Sequence, residues 1–150
     1  VAVIGIGNPL LGDDGVGVEV VREMEGLVLP EYVRLYDGGV GGFSLIGLVD
    51  GHREVIFVDA VDMGIESGGV RQLDMEQLKF LKPRLRYSLH EISLQECLPF
   101  LQLEDNPPKV TIIGIQPKRI GPGIGISPEV RASIPAVIKI IQDRLGVKDG

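Results

Sequence analysis

Only one cysteine, Cys97, occurs among the 150 residues, which excludes an internal disulfide and any zinc site built from several thiolates. That scarcity fits a reducing compartment, and a cytoplasmic location is expected. Positive charge is also short: 15 Lys and Arg face 21 Asp and Glu, for a formal net charge of −6. An acidic chain is a poor binder of polyanions, so neither nucleic acid nor an anionic membrane is an expected partner. No apolar run approaches the roughly 20 residues of a membrane span, and no signal peptide is visible. The chain opens on Val1 rather than Met, so a few preceding residues are expected.

Glycine is the residue in excess, with 21 positions, about twice the usual ~7%. It clusters over residues 5–17, 38–42, 64–69 and 121–125, mostly after apolar runs. Those runs alternate with helical patterns. Val1–Ile6, Tyr32–Tyr36, Val55–Val58 and Val110–Ile115 read as strands, with Val70–Leu73 as a short extra one. Val16, Val20, Val21 and Met24 share a helical face, and Phe43–Val49 reads as a short helix. Ser88 and Glu91 have capping-box spacing, so a helix is expected from there to about Leu103. Ser127-Pro128-Glu129 starts another, with an apolar stripe of Val130, Ile134, Val137, Ile138, Ile141 and Leu145. Pro135 falls inside that stripe and predicts a kink or a late start. The alternation implies one domain over residues 1–150, a three-layer α/β fold with a mostly parallel sheet.

In such sheets ligands sit beyond the carboxyl ends of the strands. Asp13 and Asp14 follow the first strand, Asp37 the second and Asp59 the third, so that edge is acidic. Acidity disfavours phosphate and favours a cation. The first loop begins Gly5-Ile6-Gly7 but has Leu10 where a dinucleotide fingerprint needs glycine, and no GK[ST] follows. No nucleotide is therefore expected. Of the two adjacent aspartates, Asp13 is read as a helix cap and Asp14 as the functional one. Asp62 and His52 read as surface residues, and Lys82–Arg86 as a solvated loop. Cys97 shares an apolar helical face with Leu94, Leu98 and Leu101 and reads as core. Gly42-Phe43-Ser44-Leu45-Ile46 approaches a nucleophile elbow but has Ile46 in place of its second glycine. Two carboxylates with His90 are an oxygen and nitrogen donor set suited to a divalent metal, though no local spacing ties them.

Taken together, "GIGNPLLGDDGVG", "DGG" at Asp37–Gly39, "FVDAV" around Asp59, "SLHEISL" around His90 and the late "IGIQPKRIGPGIGISPEV" resemble the hydrogenase maturation endopeptidases. The blocks agree in order and separation over nearly the whole chain. The resemblance implies a phosphorylase/hydrolase-like αβα fold with a mixed five-stranded sheet, one strand antiparallel. It implies a protease that removes a C-terminal peptide from the nickel-iron hydrogenase large-subunit precursor after nickel insertion. It also implies that Asp14, Asp59 and His90 are metal ligands and catalytic residues, and that Asp37, Gly38 and Gly39 handle substrate. Relatives with Glu at the first ligand position have an arm one methylene longer than Asp14. Nickel would arrive with the substrate, with zinc or cadmium as surrogates, and a monomer is expected. Two other readings share the acids: a magnesium-binding phosphoacceptor receiver, with Lys118 as its lysine, and a noncatalytic nickel chaperone. Receiver acids follow the strand almost directly, whereas residues 6–12 intervene here, and His90 has no place in that fold.

Overall fold

The computed structural model describes residues 1–42, 44–81, 94–103 and 105–147. Ala2–Gly5 (β1), Arg34–Asp37 (β2), Glu54–Ala60 (β3), Val70–Leu73 (β4) and Lys109–Ile115 (β5) form one sheet in the order β2-β1-β3-β5-β4. The first four strands in that order run parallel, and β4 pairs antiparallel with β5. The mixed five-stranded sheet is therefore as expected. Around it lie Val16–Met24 (α1), Ser44–Val49 (α2), Met75–Lys79 (α3), Leu94–Leu101 (α4), Pro128–Arg131 (α5) and Ile134–Arg144 (α6).

Side chains alternate across the strands, and each face takes its own layer of helices. Val3, Ile56, Val58, Ile113 and Ile115 pack against the buried faces of α1, α5 and α6. Ala2, Ile4, Val55, Phe57 and Ile112 pack against Leu45 and Val49 of α2, Leu78 of α3 and Leu94, Leu98 and Leu101 of α4. Both faces of β1, β3 and β5 are covered, so those strands are continuously apolar rather than alternating. Among the described residues, no helix is long and apolar enough to cross a membrane.

Several strand boundaries differ from expectation, β1 among them, which spans Ala2–Gly5 rather than Val1–Ile6. β2 begins at Arg34, not Tyr32: Val33 N donates to Pro30 O at 3.0 Å in a turn that precedes the strand, while the Tyr32 hydroxyl donates to the Leu145 carbonyl at 2.7 Å. β3 runs on to Ala60, so Asp59 lies within the strand, opposite Gly114. At Pro135, where a kink or a late start was expected, the structure shows the late start. A proline in mid-helix removes a backbone donor and clashes with the preceding turn. The chain instead stops at Arg131 and restarts, with Pro135 in the first turn of α6. Helix α3 was not foreseen, although Asp74 and Gln77 form a capping box that announces it. The start of the helix expected from Ser88, together with Lys82–Arg86 and Phe43, lies outside the described residues.

Candidate functional site

Parallel pairing puts the carboxyl ends of β1, β2, β3 and β5 at one edge. The first loop leaves β1 there and is stitched to its neighbours. Ile6 N donates to Val58 O at 2.9 Å, Gly7 N to Gly39 O at 2.7 Å, and Gly38 N to Gly5 O at 2.8 Å. The loop ends in a 3-10 turn, Asp13–Gly15, that feeds α1.

Gly7 explains how Asp14 is held. Its φ is +142°, and a Cβ built on it would lie 1.8 Å from the Asp14 carbonyl oxygen. Only glycine lets the two backbone segments meet. Asn8 N then donates to Asp14 Oδ2 at 2.9 Å, and Asn8 Oδ1 accepts from Leu10 N at 3.0 Å. Asp14 and Asp59 are both buried at this edge. Asp37 is exposed, its Oδ1 accepting from Gly39 N at 2.8 Å, while Gly38 is buried against Ile4 and Leu45. Asp14, Asp59 and the Asp37–Gly39 turn therefore share one edge. His90, the third expected ligand, lies outside the described residues. Among the described residues, no group of three His, Cys, Asp or Glu is placed to hold a metal ion. The described oxygen donors at this edge suit a hard or borderline divalent cation once a further ligand completes them.

Asp13 is not the helix cap it was expected to be. The residue before α1 is Gly15, with no side-chain cap, and the Asp13 carboxylate points to the far end of the chain. Its Oδ2 accepts from Lys118 N and Arg119 N at 2.9 Å each and from Ser127 Oγ at 2.7 Å; its Oδ1 accepts from Ser127 N at 2.7 Å. Burial pushes the carboxyl up, but the donors of Ser127, Arg119 and Lys118 together outweigh it and hold the group below its ordinary value. A depressed pKa in the folded state means stability that is present above the unfolded value and lost as pH falls through the folded one. Hydrogen bonds to a charged group are worth about 1.5–3 kcal/mol each. Asp13→Asn is expected to lower Tm clearly at neutral pH, with the deficit shrinking below about pH 4, where the unfolded carboxyl begins to protonate. Thermal melts of both proteins from acid to neutral pH check this; a deficit of the same size throughout would contradict it.

Other expectations sort similarly. Cys97 is core, its thiol donating to Gly42 O at 3.3 Å. Asp62 is exposed, as expected. His52 is half-buried rather than a free loop residue, with Nε2 3.0 Å from the Tyr36 hydroxyl. Burial, then nearby positive charge including Arg34, lowers its pKa. Lys118 pairs with Glu129 at 3.0 Å on the surface, which removes it from the role of a receiver lysine. One organising residue was missed. Gln116 is buried, and its Oε1 accepts from Met63 N at 2.7 Å while Nε2 donates to Asp62 Oδ1 at 3.1 Å. It shapes the chain just after Asp59. The available signal was an amide directly after the apolar run of β5.

Comparison with known proteins gives one family. The model described as hydrogenase maturation protease matches residues 18–144. The hydrogenase 2 maturation protease of Escherichia coli is 31% identical over 144 residues, covering 94% of this chain and 88% of that protein. The hydrogenase maturating endopeptidase HybD from E. coli superimposes with a TM-score of 0.83 at 30% identity, over 97% of this chain and 91% of the other. The hydrogenase 2 maturation peptidase from a Thaumarchaeota archaeon does so with 0.73 at 32% identity, over 98% of each.

Proposed function

Because the chain belongs to the hydrogenase maturation protease family, and so is a peptidase, we propose that it cuts the C-terminal extension from a nickel-iron hydrogenase large-subunit precursor once nickel is in place. In this reading Asp14, Asp59 and His90 bind the substrate's nickel, and Asp37, Gly38 and Gly39 receive the tail. The observation that carries it is the pair of buried carboxylates, Asp14 and Asp59, at the carboxyl edge of the sheet. Two acids at one sheet edge gather negative charge there, which favours a substrate-borne cation.

Hydrolysis adds the oxygen of water to the scissile carbonyl carbon and returns a proton to the leaving amide nitrogen. Asp14, Asp59 and His90 would hold the nickel that the substrate brings, and the ion would supply Lewis-acid chemistry, polarising that carbonyl or acidifying a water. Either aspartate, when not ligating, can take the water's proton as general base. The glycine-lined loops let a polypeptide backbone come close. Leu10 and Ile124, both exposed on the loops of this edge, offer it apolar contact.

The test is precursor with and without nickel. Nickel-loaded precursor is expected to be cut, and nickel-free precursor to stay intact even with enzyme in excess, because the trio lacks the soft thiolates the substrate adds. Gel-shift assay of both forms, with a chelator added to the nickel-free one alone, reads this out. Efficient cleavage of the nickel-free form would remove the metal from recognition, and metal transfer without cleavage would favour a chaperone.

A further inference from the structure

We propose that Asp13 is a positioning residue for the cleavage reaction: its carboxylate clamps residues 118–127 onto the first loop and so fixes where Asp14 presents its own carboxylate. The role of Asp14 in this proposal rests on the functional reading above; the clamp rests on geometry.

A fully buried carboxylate needs partners, and Asp13 takes four donors, all from residues 118–127. Ser127 directs its hydroxyl at Asp13 and makes no side-chain cap for α5, the helix it precedes. The main chains are laced in the same place. Asp13 N donates to Arg119 O at 3.0 Å, Gly12 N to Gly123 O at 2.9 Å, Gly123 N to Leu10 O at 2.9 Å and Gly121 N to Leu11 O at 3.3 Å. The bridges Leu11 to Gly123 and Gly12 to Ile120 are isolated ones, outside the named strands. The late segment is thus held to the first loop by a few hydrogen bonds, with Asp13 as their only charged acceptor among those named.

On its other side the same loop carries Asp14. Asn8 N donates to the Asp14 carboxylate, Asp14 N donates to Leu11 O at 3.4 Å, and the Asp14 carbonyl rests on Gly7. Residues 10–13 are therefore gripped by the late segment while residues 7–11 hold Asp14. A single peptide plane joins the clamped residue to the presented one, a Cα separation of about 3.8 Å. Loosening one anchor moves the other. Displacement of about 1 Å at a reacting group can cost 10²-fold in rate.

The experiment uses the full chain with Asp13→Asn, Ser127→Ala and Ser127→Thr. It measures kcat and KM on nickel-loaded precursor, well below each protein's Tm, and hydrogen exchange at the Asn8 amide with β3 amides as internal reference. In Asp13→Asn, kcat is expected to fall about 10–100-fold with KM within about threefold of the unmodified chain. Asn8 exchange is expected to quicken roughly tenfold or more while β3 keeps its protection. Ser127→Ala should show the same changes to a smaller extent, and Ser127→Thr, which keeps the hydroxyl, should restore both. Unmodified kcat and Asn8 exchange in Asp13→Asn and Ser127→Ala, with only Tm lowered, would reduce Asp13 to a brace of the fold and overturn the proposal. If Asp13→Asn does not fold, the two Ser127 variants decide by the same readouts. If the unmodified chain leaves the precursor uncut, the functional reading fails, and Asn8 exchange still decides the clamp: quickening supports it and no change overturns it.

Discussion

Asp59→Asn is expected to fold like the parent protein and to leave nickel-loaded precursor uncut. The substitution is isosteric and keeps the main-chain pairing of Asp59 with Gly114 inside β3. It removes the negative charge that a cation at the sheet edge would use. Lewis-acid catalysis supplies several kcal/mol of transition-state stabilisation, and each 1.36 kcal/mol is tenfold, so the loss is expected to be about 10³-fold or more. Asp14→Asn should behave in the same way, because the amide Oδ1 can take the place of the carboxylate oxygen that accepts from Asn8 N. Circular dichroism and melting curves establish the fold, and a timed cleavage assay establishes the rate. A folded Asp59→Asn protein that processes precursor at the parent rate would remove Asp59 from the chemistry.

Gly17→Ala should have a large effect on stability. Helix α1 crosses the sheet so closely that a Cβ at Gly17 would lie 2.1 Å from Val58 O and 2.6 Å from Ile6 O, both backbone atoms of the sheet edge. Gly5 faces it, with its own Cβ position 2.3 Å from Gly17 O. No rotamer change relieves a clash with main chain, so the helix must lift away and unpack Val16, Val20, Val21 and Met24. The expected cost exceeds about 4 kcal/mol, against a total of about 5–15 kcal/mol for a typical domain. The variant is expected to be insoluble or to melt far below the parent. Gly47→Ala is the control. Gly47 lies in α2 with nothing near its Cβ position, and alanine there should stabilise by about 0.5–1 kcal/mol. Equal melting temperatures for Gly17→Ala and the parent would show that α1 does not depend on this contact.

The strands could be read from the chain because burial on both faces demands long apolar, β-branched runs, as in Val55–Val58 and Val110–Ile115. The edge strand β2 was legible only in part: the Pro30–Val33 turn sets its start, and the bond of the Tyr32 hydroxyl to Leu145, 113 residues away, is encoded by no local pattern. The same reason governs the site. That Asp14, Asp37 and Asp59 share an edge follows from parallel pairing. Which of two adjacent acids faces the edge and which faces inward does not. Asp13 finds its donors 105 to 114 residues further on, so its clamp could not be separated from an ordinary helix cap by local spacing. Pro135 was ambiguous for a different reason. A proline admits either a kink or a restart, and Ser133, donating its hydroxyl to Val130 O at 2.6 Å, settles a restart.

The span between Asp13 and Ser127 also imposes an order on biosynthesis. A chain emerging from its amino end can assemble β1, α1, β2 and β3 from its first 60 residues. Ser127 follows 114 residues after Asp13, an interval on the order of 10 s at 5–20 residues per second. Until residues 118–127 follow, Asp13 has none of those donors, and its carboxylate must stay hydrated. A nascent chain halted before Ser127 thus carries the acids of the site with no finished loop to present them. The site edge is therefore assembled only once residues 118–127 have reached the first loop.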